Sequence, residues 1–295
     1  MQNNSKKIYE KKAYGKINLY LDVLNKRSDG YHNIRSVMQT VSLCDTVRLE
    51  ISPSTEAKIE IECSDKSIKC DKSNLVYNAT EAFLTKSGGE CMNYKFYIEK
   101  NIPVSAGMAG GSSDAAAALH LLNEACGFPF DSDELCHIGG KIGADVPFCI
   151  IGGTCICEKI GEKLTRLPAF SDFFLVSAIG SSSVLTPVAF SLLDEKFGTE
   201  CVDSSCIDDI VNYIKCRDFD GVCSSLYNKF EQVIFETNPD SKYIKELMIK
   251  FGAKGALMSG SGPSVFGFYE TEEKALYAVE LLKSYKIRAN ICKTI

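Results

Sequence analysis

A run of glycine, serine and alanine at residues 102–119, IPVSAGMAGGSSDAAAAL, constrains this chain most strongly. It places small residues directly before an alanine-rich segment that is typical of a helix. Gly107, Gly110 and Gly111 let a backbone approach an anion closely. The unpaired N–H groups of a first helical turn favour negative charge at the same place, and the two following serines add hydroxyls. The run therefore predicts a phosphate-binding loop.

Three known phosphate-binding patterns do not match this loop. A Walker loop requires Gly-Lys-Ser/Thr, but here Gly111 is followed by Ser112. The GxGxxG fingerprint of dinucleotide-binding folds and the His-Arg-Asp loop of protein kinases are also absent from the sequence. A flexible strand-to-helix connection without a function is the alternative, since glycine and serine are common in such loops.

Composition limits the class of protein. The chain has 295 residues, 45% hydrophobic and 24% charged, which is typical of a globular protein with one large or two medium domains. Its 33 basic and 38 acidic residues give a formal charge of −5, which argues against binding to nucleic acid. No stretch approaches the roughly 18 apolar residues that span a bilayer, and the N-terminus lacks the apolar core of a signal peptide. We therefore expect a cytoplasmic protein that binds neither nucleic acid nor membrane.

The 14 cysteines do not predict a metal or redox centre. They lie in apolar patterns such as Cys155-Ile-Cys157, where a thiol behaves as a small hydrophobic group. No CxxC pair has the spacing of a zinc site, and the sequence offers three histidines, His32, His120 and His137, as imidazole ligands.

The apolar patterns predict a mixture of strands and helices. Alternating and β-branched runs predict strands at residues 16–23, 37–51, 57–63 and 93–100. Helical spacing predicts helices at 74–85, 113–126 and 132–142. A strand at 147–157 then leads into the polar stretch 158–166, which is the candidate boundary between domains at 1–160 and 161–295. Beyond it the pattern predicts a strand at 173–179, several helices, and then helix 241–251, strands 255–259 and 264–270, helix 272–285 and strand 287–293.

Three segments together resemble the motifs of the GHMP kinases, a superfamily of small-molecule kinases. Residues 103–117 resemble its central phosphate loop, Gly15–Leu19 its first motif and Lys254–Phe266 its third, a second glycine loop that supports the phosphate site. Because all three motifs occur in the family's order, the resemblance is not a chance match. The resemblance implies an α+β fold with an N-terminal ribosomal-protein-like α/β domain and a C-terminal α+β sandwich domain, and it implies ATP and Mg²⁺ as cofactors.

The resemblance implies ATP-binding residues along the central loop and at two further positions. They are Pro103, Val104, Ser105, Ala106, Gly107, Met108, Ala109, Gly110, Gly111, Ser112 and Ser113, with Asn74 and Lys100 beside the adenosine. Taken alone, Asn74 passes for a helix cap and Lys100 for a lysine at a strand end. For Mg²⁺, Ser112 and Ser113 are candidates by position.

The central loop departs from its most glycine-rich versions at four positions. Ser105, Ala106 and Ala109 replace glycines, which costs stability where φ is positive. Asp114 stands where Asn also occurs in the family and adds a negative charge close to the phosphates. Mg²⁺ or a neighbouring cation would have to compensate this charge.

Residues 16–32, KINLYLDVLNKRSDGYH, are similar to the signature of one branch of these kinases, whose alcohol substrate carries a cytidine diphosphate group. Within it, Asp29-Gly30 predicts a tight turn that projects Tyr31 and His32 from a strand end. An aromatic face beside a hydrogen-bonding ring suits a nucleobase. An ordinary packed hairpin end is the alternative.

The resemblance also assigns the remaining substrate contacts. Phe190 would form the opposite wall of a cytosine sandwich, although from spacing alone it is ordinary helix core. Asn18, Thr186 and Asp145 would be further contacts. The implied reaction transfers phosphoryl from ATP to the 2-hydroxyl of 4-diphosphocytidyl-2-C-methyl-D-erythritol, in the non-mevalonate route to isoprenoid precursors.

Two residues match the catalytic positions of the family. Asp145 resembles the aspartate that accepts the proton of the substrate hydroxyl, and Lys16 the lysine that orients this hydroxyl and offsets developing charge. Without the family, Asp145 reads as an Asx-type turn and Lys16 as a surface lysine on a strand.

Three other functions stay open at this point. Another kinase of the superfamily, acting on mevalonate or homoserine, leaves Tyr31, His32 and Phe190 without a role. A nucleotide sensor would bind ATP without turnover, which the presence of both Lys16 and Asp145 argues against. The acidic net charge argues against an RNA-binding or structural protein. We expect a monomer or a homodimer.

Overall fold

The structure, a computed structural model, describes residues 6–89, 91–180, 184–199 and 207–295. Two compact units interleave along the sequence. The first contains Met1–Gly15, Leu43–Val104 and Ala109–Ile151, and the second contains Lys16–Ser42, Ser105–Met108 and Gly152–Ile295. Two long strands, β1 (Lys7–Lys26) and β2 (His32–Pro53), contribute residues to both. In the described residues, no helix combines the length and apolar character needed to cross a membrane.

The first unit packs helices on one face of a sheet. Strand β3 (Lys58–Cys63) runs parallel to β4 (Met92–Glu99), and β4 pairs antiparallel with the second half of β2. Alternate residues of β4, among them Phe96, are buried because one face of the strand meets the core. The helices are α1 (Leu75–Ser87), α2 (Gly110–Ala125), α3 (Ser132–Gly140) and α4 (Val146–Ile151).

The second unit contains a four-stranded antiparallel sheet. Its order is β11 (Arg288–Lys293), β7 (Phe174–Ile179), β10 (Ser264–Tyr269) and β9 (Gly255–Met258). In addition, β5 (Thr154–Lys159) pairs with the first half of β2 and with β6 (Lys163–Arg166), and β8 (Tyr227–Asn228) pairs with β1. The helices are α5 (Thr186–Phe197), α6 (Ile207–Cys216), α7 (Phe219–Ser224), α8 (Glu231–Thr237), α9 (Pro239–Lys250) and α10 (Glu272–Ser284).

One predicted strand is wrong in its first half. Residues 147–151 belong to helix α4, and the strand begins only at Thr154. Proline suits the first turn of a helix, where its missing N–H has no partner to lose, and Pro147 is the second residue of α4. Gly152 and Gly153, both with positive φ, then separate α4 from β5. An apolar run of this length does not distinguish a buried helix from a strand by periodicity.

The polar stretch that was taken as the candidate domain boundary forms the hairpin of β5 and β6. Both strands lie in the second unit. The division of the chain at residue 160 stays a prediction.

Candidate active site

Helix α2 begins three residues earlier than the sequence predicts, so that Gly110 and Gly111 are its first residues rather than part of a loop. Ala109 precedes it in a left-handed conformation with φ 56° and ψ 31°, and no side chain caps the first N–H groups. A methyl group added to Gly111 would contact only the side chain of Leu75, at 3.6 Å. The first turn therefore presents backbone donors with little side-chain cover, which suits an anion.

The two serines at the start of α2 differ in what they contact. Ser113 is buried, and its hydroxyl donates to the carbonyl of Tyr14 at 2.5 Å. Ser112 is half-buried and lies near the turn before α4, since a methyl group on Gly143 would be 3.9 Å from its Oγ. The proton of Ser113 is committed to the fold, so that Ser112 is the better placed of the two for a ligand.

Lys100 lies beside the start of α2 in a buried cluster of charges. Its Nζ contacts Asp45 and donates to Asp114 Oδ2 at 2.7 Å. Asp45 Oδ1 also accepts the backbone N–H groups of Asn101 and Ile102, at 2.5 and 2.7 Å. Lys100 is thus held by two carboxylates rather than exposed at a strand end, and its side chain is 5% exposed.

The two carboxylates of this cluster share one cation. Burial raises the pKa of Asp114 to about 7, and the negative charge of Asp45 adds to this effect, although Lys100 opposes it. Within the described residues Asp114 Oδ1 is buried without a hydrogen-bond partner. Asp114 forms an ion pair with Lys100, in agreement with the neighbouring cation that the sequence indicated. The single positive charge of the lysine compensates only one of the two carboxylates, Asp45 and Asp114.

Asn74 caps helix α1. Its Oδ1 accepts the N–H of Val76 at 2.9 Å, and its Nδ2 donates to the carbonyl of Lys69 at 2.8 Å. The cap read from the sequence alone is therefore present, and any contact of Asn74 with adenosine would come in addition to it.

Asp145 immediately precedes α4. Its carbonyl accepts the N–H of Cys149 at 3.1 Å, which is the first helical hydrogen bond, and the residue is half-buried. Gly139 allows α4 to pack closely on α3, because a methyl group there would lie 2.7 Å from the side chain of Val146. The position of Asp145 is thus fixed by the packing of two helices in the first unit.

In the second unit Lys16 is buried, with 4% of its surface exposed, so that the alternative of a surface lysine is wrong. Its Nζ donates to Asn18 Oδ1 at 2.8 Å. Asn18 in turn donates to Ser36 Oγ at 2.8 Å, and Ser36 donates to the carbonyl of Tyr20 at 2.6 Å. This chain of bonds orients the ammonium group. Sequence reasoning missed Ser36, which no motif distinguishes.

The central loop and the third motif meet in the second unit. Gly107 has φ 72°, and a methyl group on it would lie 2.1 Å from the carbonyl oxygen of Ser259. The hydroxyl of Ser259 donates to the carbonyl of Gly107 at 2.9 Å. Lys16 joins them, since its N–H donates to the carbonyl of Met108 at 3.1 Å and a methyl group on Gly260 would be 3.7 Å from its Nζ. Residues of all three motifs are therefore in contact there.

Two of the three glycine replacements in the loop carry backbone strain. Ser105 has φ 54° and Ala109 φ 56°, whereas Ala106 does not have a positive φ. The left-handed region is unfavourable for residues with a Cβ. The contacts around the loop therefore hold these two residues in a conformation that glycine would adopt more easily.

The predicted turn before His32 is present. Gly30 has φ 87°, Arg27 donates its N–H to the carbonyl of Tyr31 at 2.7 Å, and Tyr31 donates its N–H to Asp29 Oδ1 at 3.1 Å. Tyr31 is 61% exposed and His32 is buried. The turn thus projects one aromatic ring into solvent and one into the unit.

Phe190 contacts His32 directly. Their rings are stacked with centroids 4.5 Å apart and planes 13° apart, and Phe190 also meets Phe230 edge to face. No space for a base is left between His32 and Phe190 in this arrangement. Thr186, the first residue of α5, is hydrogen-bonded to Ser261 at 3.0 Å and so connects α5 to the third motif.

Comparisons with known proteins show which family the chain belongs to. Family models described as the GHMP kinases N terminal domain and the GHMP kinases C terminal match residues 74–153 and 211–284. A 4-diphosphocytidyl-2-C-methyl-D-erythritol kinase of Clostridium tetani is 41% identical over 288 residues, covering 96% of this chain and 99% of the relative. One of Caldicellulosiruptor saccharolyticus is 40% identical over 278 residues, covering 93% of this chain and 92% of the relative.

Two solved structures show the same fold. A crystal structure of 4-(cytidine 5'-diphospho)-2C-methyl-D-erythritol kinase matches with a TM-score of 0.78 and 29% identity, covering 97% of this chain and 99% of that chain. The mevalonate kinase of L. major in complex with R-mevalonate also matches with a TM-score of 0.78, covering 99% of this chain and 97% of that chain. Because the second match is only 16% identical in sequence, it shows the fold alone.

The fold and the matched domains define a GHMP kinase, so that the predicted α+β fold class is confirmed. Within this superfamily, the chain belongs to the family of the 4-diphosphocytidyl-2-C-methyl-D-erythritol kinases. The resemblance of residues 16–32 to that branch is thereby confirmed.

Proposed function

We propose that the protein transfers the γ-phosphoryl group of ATP to the 2-hydroxyl of 4-diphosphocytidyl-2-C-methyl-D-erythritol, giving the 2-phosphate and ADP. The observation that carries this proposal is the 41% identity to a named relative along 99% of that relative's length. A step in the non-mevalonate route to isoprenoid precursors follows from the same relationship. A cytoplasmic location and a monomeric or homodimeric state stay predictions.

ATP would place its phosphates at the start of α2. The first-turn N–H groups, with Gly111 giving open access, would bind the phosphate oxygens. No group of three or more His, Cys, Asp or Glu in the described residues has the geometry of a metal site. The hydroxyl of Ser112 is an oxygen donor that suits Mg²⁺, and it would hold the ion together with the ATP phosphates. When bound, Mg²⁺ would offset part of the phosphate charge.

Lys16 and Asp145 would act on the substrate hydroxyl. Phosphoryl transfer passes through a loose transition state, so that positioning and charge compensation matter more than covalent chemistry. The buried ammonium of Lys16, oriented by Asn18, would hold the hydroxyl and offset developing charge. The carboxylate of Asp145 would accept the proton, which leaves late, so that a weakly basic group suffices.

The cytidyl group would bind near the turn that precedes β2. Exposed Tyr31 offers a face for stacking, and His32 with Phe190 offers a buried hydrogen-bonding ring on an aromatic support. Thr186, at the start of α5, is hydrogen-bonded to Ser261 of the third motif. We propose these residues, together with Asn18, as the substrate contacts.

The test is ADP release by the purified protein with ATP and Mg²⁺, measured in parallel on the cytidyl methylerythritol substrate, mevalonate and homoserine. The expected result is turnover with the first alcohol alone. Turnover with mevalonate or homoserine instead would refute the substrate but keep the phosphate site. Silence with all three, in protein shown by calorimetry to bind ATP, would favour a nucleotide sensor.

A further inference from the structure

Helix α5 presents a ring and a carboxylate to His32. Phe190 and Asp194 are four residues apart in this helix and therefore lie on one face of it. The ring of His32 stacks on Phe190 with centroids 4.5 Å apart, and its Nε2 lies 2.8 Å from Asp194 Oδ1. The imidazole is thus held by its face and by one of its two nitrogens.

Lys26 compensates the charge of Asp194. Its Nζ donates to Asp194 Oδ2 at 2.7 Å. Burial by itself would raise the pKa of Asp194, but the hydrogen bonds from Lys26 and His32 outweigh it and hold this pKa below its usual value. Asp194 therefore stays ionised and accepts hydrogen bonds only. Because an ionised carboxylate only accepts hydrogen bonds, the Nε2 atom of His32 that faces it must carry a proton.

In the Nε2–H tautomer of the imidazole, the other ring nitrogen of His32, Nδ1, is an acceptor. Among the residues that the structure describes, none forms a hydrogen bond with Nδ1 of His32. An acceptor at this position suits an amino group. Cytosine carries an N4 amino donor at the place where uracil has the acceptor O4. Nδ1 of His32 without a proton therefore accepts from cytosine and has no donor to accept from in uracil.

We propose that Asp194 is a positioning residue that fixes His32 in the Nε2–H tautomer, so that Nδ1 selects cytosine over uracil. This rests on the proposed function in one respect, namely that the cytidyl group binds at His32. Asp194 acts through His32 and does not touch the substrate. A search for specificity residues confined to the family motifs would miss it, because it lies 162 residues from His32 in the chain.

The variant Asp194→Asn reverses the tautomer. The ammonium group of Lys26 can only donate, so that it would donate to the amide oxygen of the new asparagine. The NH₂ group of the asparagine would then face Nε2 of His32. Nε2 must then accept, and the proton of His32 moves to Nδ1, where it opposes the amino group of cytosine. The expected result is an increase of about tenfold in KM for the cytidyl substrate, with kcat changed by less than about twofold.

The tautomer is measured directly by ¹⁵N NMR of protein labelled on histidine. The chain has three histidines, and the loss of one set of signals in His32→Gln assigns the ring. The expected result is a proton on Nε2 in the unaltered protein and on Nδ1 in Asp194→Asn. The same tautomer in both proteins would overturn the proposal, whatever the enzyme's activity.

The selectivity is measured by calorimetry with CDP and UDP. The unaltered protein is expected to prefer CDP, and Asp194→Asn to lose most of this preference. Glu195→Gln is the matched control, because it removes the same charge from the next, exposed residue of α5 and should keep the preference. Lys26→Gln, at a more exposed residue, is a second route to the same loss, because it removes the ammonium group that holds Asp194 Oδ2 in place.

The two proposals fail in different ways. If His32→Gln leaves CDP affinity unchanged, the cytidyl group does not bind at His32, and the assigned substrate pocket fails together with the role of Asp194. If His32→Gln weakens CDP binding while Asp194→Asn and Lys26→Gln do not, the pocket stands and the role of Asp194 alone is refuted. Thermal unfolding of each variant separates these results from loss of the fold.

Discussion

At the scale of single residues, the candidate site depends on closely packed and buried groups. Gly107 has no room for a Cβ beside Ser259, and Lys16 is buried with its ammonium bound to Asn18. Burial of a charged group is costly unless partners compensate it. Holding these residues in place thus costs stability, which is typical of functional sites.

Substitution of Asp145 tests the proposed proton acceptor. Asp145→Asn keeps the size of the side chain but removes the carboxylate that would accept the hydroxyl proton. We expect kcat to fall by at least about two orders of magnitude, while ATP affinity changes little. Steady-state kinetics and ATP calorimetry measure both values. Near-normal turnover would remove Asp145 from its role.

Two glycines of the central motif, Gly107 in the loop and Gly111 in helix α2, should respond oppositely to the same substitution. In Gly107→Ala the new methyl group meets the Ser259 carbonyl at 2.1 Å and the backbone has φ 72°, so that we expect a loss of roughly 2–4 kcal/mol in the free energy of unfolding. Gly111→Ala has open space in a helix, and we expect a gain of up to about 1 kcal/mol. Urea unfolding measures both. Equal effects would contradict the loop geometry.

At the scale of elements, the Lys100 cluster joins three segments of the first unit. Asp45 belongs to β2, Lys100 follows β4 and Asp114 is in the first turns of α2. One lysine between two buried carboxylates leaves a net negative charge, which the fold accommodates by holding a proton more tightly. The position of α2 is therefore coupled to an ionisable group.

This coupling predicts a pH dependence of stability. The pKa of Asp114 is raised from 3.8 to about 7 in the folded protein, so that the folded state binds more protons between these values and stability falls as pH rises from about 4 to 7. Asp114→Asn removes this titrating group and with it the pH dependence that the group causes. We expect its free energy of unfolding to exceed that of the unaltered protein by roughly 2–4 kcal/mol at pH 8 and to match it near pH 4.

Urea unfolding at pH 4.5, 6 and 8 measures this difference. Glu81→Gln, which removes an exposed charge from α1 in the same unit, is the control and should follow the unaltered protein at every pH. A constant difference between Asp114→Asn and the unaltered protein across this range would contradict the raised pKa of Asp114.

At the scale of the whole molecule, the buried cysteines of the described residues act as packing groups rather than as reactive thiols. Burial raises the thiol pKa to about 11 for Cys155 and to about 12 for Cys223 and Cys292. Cys70 and Cys216 are two of the exposed cysteines in the described residues. We expect iodoacetamide at pH 7.5 to label Cys70 and Cys216 in minutes and Cys155, Cys223 and Cys292 only in denaturant, as measured by peptide mass spectrometry. Rapid labelling of Cys292 in the native protein would contradict its burial.

Local patterns in the sequence were sufficient for most elements of the fold. Asn74 caps α1, and Asp131 with Glu134 forms a capping box at α3, because a cap depends on residues two or three positions apart. The alternation in β4 follows from one buried face. The run at 147–151 failed because an apolar stretch is compatible with either helix or strand, and the tight packing of Gly139 against Val146 places it in α4.

The sequence by itself determined the family, most strands and helices, and the residues that the motifs carry. Only the tertiary structure decided which neighbours these residues have. It buried Lys16 against Asn18 and Ser36, and it paired His32 with Asp194. The physical reason is distance along the chain. Capping and periodicity act within a few residues, whereas hydrogen bonds and ion pairs in a core join residues that only the complete fold brings together.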